Sequence, residues 1–156
     1  MQGRMKQHQL NPAEITEVLN KAEVGRIATN DPNGFPYIVP VHYVYWNDKI
    51  YIHGLIKGQK IAYLKQDSKV GFEVDEMGAI LPNTMVVCNT NTKFRSVIIL
   101  GDAQMIDQTE LKKEILKHIV KKYTPELSHM EFPANMFKAT GVIEITPSAI
   151  TGKYYK

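Results

Sequence analysis

Apolar and polar residues alternate along this chain with two different periods. Asn11, Pro12 and Glu14 have the form of an N-cap, a first-turn proline and an N3 acid, and Ile15, Val18, Leu19 and Ala22 follow at helical spacing. Gly25 is expected to end that helix. The pattern then switches to short strands: residues 26–29, a turn over Asp31-Pro32-Asn33-Gly34, a strand over 37–46, a turn at Asn47-Asp48, and a strand over 49–54. Residues 58–66 read as a short helix burying Ile61 and Leu64, and 69–75 as a strand with Val70, Phe72 and Val74 on one face. The section 76–93, with Pro82 and several Asn and Thr residues, reads as a loop carrying a short strand through Val86 and Val87. A long strand over 94–106 follows, then a helix marked by Leu111, Ile115 and Ile119 that stops before Thr124-Pro125. A last strand over 142–145 is expected to break at Pro147.

Strands in adjacent pairs predict a mainly β fold with antiparallel pairing, a barrel or strongly curved sheet of six to seven strands with helical caps. At 156 residues with 44% hydrophobic content, the chain can bury roughly 70% of its unfolded surface, enough for one domain over 1–156, residues 1–10 forming a flexible N-terminal arm. The formal charge of +3 comes from 19 basic and 16 acidic residues without a long basic run, which gives no nucleic-acid footprint. Residues 1–9 are polar and carry no apolar targeting core, and no run reaches the roughly 18 residues of a membrane span. A cytoplasmic location is expected. The lone Cys88 fits a reducing compartment and reads as a small buried hydrophobe.

Candidate chemistry concentrates between Pro36 and Lys60. A two-residue turn at Asn47-Asp48 pairs Trp46 with Lys49 and Val44 with Tyr51, and places His42 opposite His53. The strand before it is apolar on both faces, so its outer side needs cover from a partner subunit or a flat ligand. Pro40 removes a ladder donor, which demands an edge, a bulge or a break. After His53 and Gly54, the turn at Gly58 can bring backbone close to an anion beside Lys60, with Gln59 between them. The two histidines allow two other readings, a purely structural pair or a metal site, but no HExxH, CxxC or His-x-His spacing supports a metal.

Gly25-Arg26-Ile27-Ala28-Thr29, then Gly34-Phe35-Pro36-Tyr37-Ile38-Val39-Pro40-Val41-His42-Tyr43-Val44-Tyr45, then Ile50-Tyr51-Ile52-His53-Gly54 with Gly58-Gln59-Lys60, and later Phe94-Arg95-Ser96-Val97-Ile98 with Gly101, stand in one order. That series resembles the FMN-binding split barrels related to pyridoxamine 5′-phosphate oxidase, especially their Nim-type nitroimidazole-resistance branch. The resemblance implies a split β-barrel that holds FMN, with Val39, Pro40 and Val41 edging the flavin ring, and His42, His53 and Gly54 beside it. Gly58, Gln59 and Lys60 would take the phosphate, and Ser96 and Val97 would complete the pocket. It also implies a homodimer with flavin at the interface and an oxidoreductase acting on a small, nitroaromatic-type substrate; His53 is the candidate catalytic residue, since imidazole titrates near neutral pH and such a reduction consumes protons. A non-catalytic flavin store or sensor, or a barrel holding haem or the deazaflavin F420, are the competing readings. Members that oxidise pyridoxamine phosphate carry Arg-Lys where this chain has Gln59-Lys60, and end in a basic motif absent from residues 150–156. The resemblance therefore speaks for FMN more than for that reaction.

Overall fold

The computed structural model describes residues 6–156. Helix α1 (Pro12–Lys21) opens with the expected capping box: Glu14 N–H donates to Asn11 Oδ1, and Asn11 N–H to Glu14 Oε2. It ends at Ala22, three residues before Gly25, which instead opens β1 (Gly25–Asn30). Gly25 is required there by packing, since a Cβ at that position would lie 2.2 Å from Phe72 Cζ. Strands β2 (Pro36–Val41), β3 (Tyr43–Trp46) and β4 (Lys49–Leu55) follow, then α2 (Gln59–Leu64) and β5 (Lys69–Leu81). Strand β6 (Asn91–Met105), α3 (Thr109–Tyr123), α4 (Ala134–Ala139) and β7 (Thr140–Tyr155) complete the chain.

All seven strands form one antiparallel sheet in the order β2-β1-β5-β6-β7-β4-β3. Its two edge strands, β2 and β3, are consecutive in sequence and joined by the single residue His42. Chain connectivity thus draws the edges together into a barrel that is closed at one point and split beside it. The inward faces of β1, β4, β5, β6 and β7 meet α1 in one core containing Ile27, Phe72, Val74, Val97, Ile99 and Ile145. A second cluster lies outside the sheet, where Ile115, Leu116 and Ile119 of α3 cover Val44, Tyr51 and Val142.

Four sequence expectations are corrected. The strand over 37–46 is two strands, broken at His42, and Pro40 sits within the edge strand β2 where its missing donor costs no ladder bond on the open side. Residues 76–93 hold no strand through Val86 and Val87: β5 runs on to Leu81, β6 starts at Asn91, and Val87–Asn89 form a 3-10 turn in the connecting tip. Cys88 lies in that tip and is exposed, not a buried filler. Pro147 does not end the last strand, because β7 bulges at Ser148, opposite the step from Leu100 to Gly101 of β6, and pairing resumes to Tyr155. In the N-terminal arm, Tyr154 N–H donates to the His8 carbonyl and Leu10 N–H to that of Gly152, so residues 8–10 dock on β7. Residues 1–5 of that arm lie outside the described residues.

Candidate functional site

The break at His42 creates the site. Asn47 and Asp48 both adopt positive φ, 48° and 58°, which gives the tight turn that sets the register Trp46↔Lys49, Val44↔Tyr51 and Tyr43↔Ile52. Pairing stops there. His53, Gly54 and Leu55 are bonded only to β7, through Val142, Gly141 and Thr140, and β2 is bonded only to β1. Backbone edges around Val39–Val41 and around His53–Leu55 are therefore both unpaired on one side.

Between them stand the titratable groups. The His42 ring lies 6.4 Å from that of His53 at an interplanar angle of 19°, and stacks on Tyr123 at 4.4 Å. His53 is half-buried, and its Nδ1 is shut off from solvent with no hydrogen-bond partner. Burial first, then the neighbouring His42 and Lys60, hold its pKa below the usual imidazole value. Burial also lowers the pKa of Lys60, which makes no salt bridge with any described carboxylate. Gly58 caps α2 at φ 125°, a conformation that suits only glycine, and the space where its Cβ would project is empty within 4 Å. At Gly54, whose φ is ordinary, the space where a Cβ would project is also empty within 4 Å. An unpaired lysine, a buried imidazole nitrogen lacking a partner, and two glycines facing open space form a cradle for a ligand that is anionic at one end.

The other predicted residues divide. Val39 and Val41 turn their side chains to the main core, and Pro40 is exposed on the outer face. Gln59 is occupied, its amide donating to the Tyr63 hydroxyl, whose ring meets Tyr37 of β2 edge-on at 5.6 Å. Ser96 and Val97 do not join the cluster within one chain. They lie on β6, separated from β2 by two strands and from β4 by one, and the Val97 side chain is fully buried. Tyr123 was not legible as a site residue. It is the last residue of α3 and continues the apolar stripe Leu111, Ile115, Ile119 by one turn, so spacing reads it as core, yet its hydroxyl accepts from Tyr43 N–H at 3.0 Å and lies 2.8 Å from the Glu23 carbonyl. Among the described residues, no group of three or more His, Cys, Asp or Glu side chains is placed to hold a metal ion.

The fold and the break between its edge strands together define a split β-barrel. The chain belongs to the pyridoxamine 5′-phosphate oxidase family, whose model matches residues 11–154. No curated protein is matched by this sequence. Among solved structures it is similar to a candidate 5-nitroimidazole antibiotic resistance protein from Bacteroides thetaiotaomicron, at 22% identity and a TM-score of 0.82, covering 94% of this chain and 86% of that one. A flavocytochrome from Azotobacter vinelandii superposes with a TM-score of 0.88 at 21% identity, over 100% of this chain and 72% of the other. A FAD- and haem-binding protein from Mycobacterium smegmatis gives 0.84 at 15% identity, over 96% and 74%. At such identities the likeness is one of fold.

Proposed function

We propose that this protein is a cytoplasmic FMN-dependent oxidoreductase that reduces a small, nitroaromatic-type substrate and works as a homodimer. The observation that carries the reading is the pairing of His53, with its buried and partnerless Nδ1, with the unpaired Lys60 beside an open strand edge. A ligand with a phosphate at one end and a planar polar ring at the other satisfies both groups. FMN has that form, and when bound it supplies the two-electron chemistry.

The chain's own residues have three tasks. Lys60 supplies the charge for the phosphate, and Gly54 and Gly58 keep side chains out of its path. The free edge of β2 at Ile38 and Pro40 offers backbone groups to the ring. His53 handles a proton: Lys60 is one of the causes that depress its pKa, so a phosphate that offsets the lysine charge lets the imidazole regain a proton nearer neutral pH. Reduction of a nitro group consumes protons, and an imidazole titrating near neutrality can deliver them.

Support for the dimer comes from the outer face of the sheet. Register aligns Ile38, Ala28, Gly71, Leu100 and Ala149 in one row across five strands, and Pro40, Arg26, Glu73, Ile98 and Thr151 in the next. Ile38, Ile98 and Leu100 are exposed at 59%, 43% and 56%. Arg26, the cation within these rows, is already paired in its own chain with Glu73 at 3.1 Å and Asp75 at 2.6 Å. A twofold contact over this face covers the apolar row without stranding that charge, and carries β6, with Ser96 and Val97, towards the β2 edge of a second copy.

Flavin bands in the absorption spectrum of freshly purified protein, and their bleaching by NADH or NADPH without oxygen, are the expected results. Lys60→Ala should weaken flavin retention roughly ten-fold or more, as loss of a charge-assisted contact of about 1.5 to 3 kcal/mol requires. A Soret band, or unchanged flavin affinity in that variant, overturns the assignment.

A further inference from the structure

A second concave site lies on the α3 side of the barrel and shares no residue with His42, His53, Lys60 or the β2 edge. Asn20, Val44, Tyr45, Trp46, His118, Lys121 and Lys122 line a groove of about 320 Å³. Two of its walls are aromatic: the Trp46 ring stands 5.0 Å from that of His118 at 36°, and Tyr45 is tied down by a 2.9 Å hydrogen bond from its hydroxyl to Asp48. Its lining holds two lysines and a histidine and no carboxylate.

Lys122 is the unusual member. Its Nζ is cut off from solvent and has no hydrogen-bond acceptor among the described residues. It lies 3.9 Å from the centre of the Tyr43 ring and 5.4 Å from that of Tyr123, contacts that attract a cation but accept no hydrogen bond. Burial pushes its pKa down to about 8, with Glu23 opposing the shift from a distance. An ammonium held this way carries a desolvation cost that only an acceptor can offset. The nitrogen stands at the end of a flexible four-carbon stem, so it can turn from the Tyr43 face into the groove that its own side chain lines. The volume falls at the low end of small-molecule sites, suited to one ring rather than to a nucleotide.

We propose that this groove binds a small planar aromatic carboxylate, its ring against Trp46 and His118, its carboxylate taken by Lys122, and Lys121 at the mouth adding attraction. The ring supplies the stacking surface that Trp46 and His118 offer, and the carboxylate supplies the missing acceptor.

Trp46 is the only tryptophan of the chain, so its fluorescence reports this groove directly. Benzoate titrated into the purified full-length protein should change that emission saturably, without displacing any chromophore that copurifies. Lys122→Met, which keeps the apolar stem, should weaken the affinity roughly ten-fold or more. In wild-type protein, benzyl alcohol, which has the ring but no charge, should bind weaker than benzoate by roughly the same factor, and inorganic phosphate should fail to compete at equal concentration. This ligand series keeps the question open to refutation if Lys122→Met does not fold. An emission that never saturates, equal affinity in Lys122→Met, equal binding of benzyl alcohol, or equal competition by phosphate each overturns the proposal.

Discussion

Tyr123→Phe removes one oxygen and leaves the ring that stacks on His42. That hydroxyl is within hydrogen-bond distance of three backbone groups: Tyr43 N–H at 3.0 Å, the Tyr43 carbonyl at 3.0 Å and the Glu23 carbonyl at 2.8 Å. Having one hydrogen, it accepts from the amide and donates to one carbonyl at a time. Tyr43 is the first residue after the break at His42 and belongs to an edge strand, so these contacts replace the ladder that the split barrel lacks there. Its side chain is fully buried and donates to the Leu19 carbonyl at 2.7 Å, which keeps the residue in place when Tyr123 is changed. The variant therefore strands an amide and a carbonyl that cannot move to water. At about 1 to 2 kcal/mol for each group, the loss is about 2 to 4 kcal/mol, or a Tm lower by roughly 4 to 16 °C for a chain of this size. Urea unfolding followed by Trp46 fluorescence measures it. A change below about 0.5 kcal/mol, the usual range for a surface substitution, would refute the claim that Tyr123 pins the break.

The remaining predictions concern the site, the core and the outer face. Because His53 is held below its ordinary value of 6.5, the folded protein binds fewer protons than the unfolded chain in the window just under that pH. Stability must then fall as pH drops from 6.5 through the folded pKa, and His53→Gln should remove that part of the slope; identical wild-type and variant pH profiles would sink the burial argument. Gly25→Ala places a Cβ against Phe72, itself 1% exposed and unable to withdraw, so a thermal melt should show a loss of about 1 to 3 kcal/mol from overpacking. Leu100→Glu should leave the barrel folded and shift the sedimenting species to a monomer, whereas an unchanged mass would remove the outer face as the dimer contact.

Much of this fold was readable where local chemistry decides it. The capping box at Asn11 and Glu14, the Asn47-Asp48 turn and the register it sets depend on neighbours in sequence, and all three are present. The doubly apolar strand after Pro36 was read as needing cover on its outer side from a partner subunit or a flat ligand, and within the chain only its second half has cover. In β3, α3 packs over Val44 and Trp46, while in β2 Ile38 and Pro40 remain exposed. What escaped depends on long-range pairing. β5 and β6 extend through the Asn- and Thr-rich stretch because each supplies the other's ladder as far as Leu81↔Asn91, and β7 passes Pro147 because it bulges at Ser148 and then resumes pairing with β6. Tyr123 escaped because its role is a hydroxyl reaching backbone 80 residues away, which no spacing rule records. His53, Gly58 and Lys60 were visible as residue types, but the features that make them a site, a partnerless buried nitrogen and an unpaired lysine, exist only once the chain is folded.

The central claim is that the cleft flanked by Val39–Val41 and His53–Lys60 holds FMN. Native purification followed by denaturation, with mass and absorption analysis of what is released, tests it most directly. The account predicts FMN at one molecule per chain, lost or much reduced in Lys60→Ala. Haem, F420, or a protein that stays colourless after added FMN would contradict it.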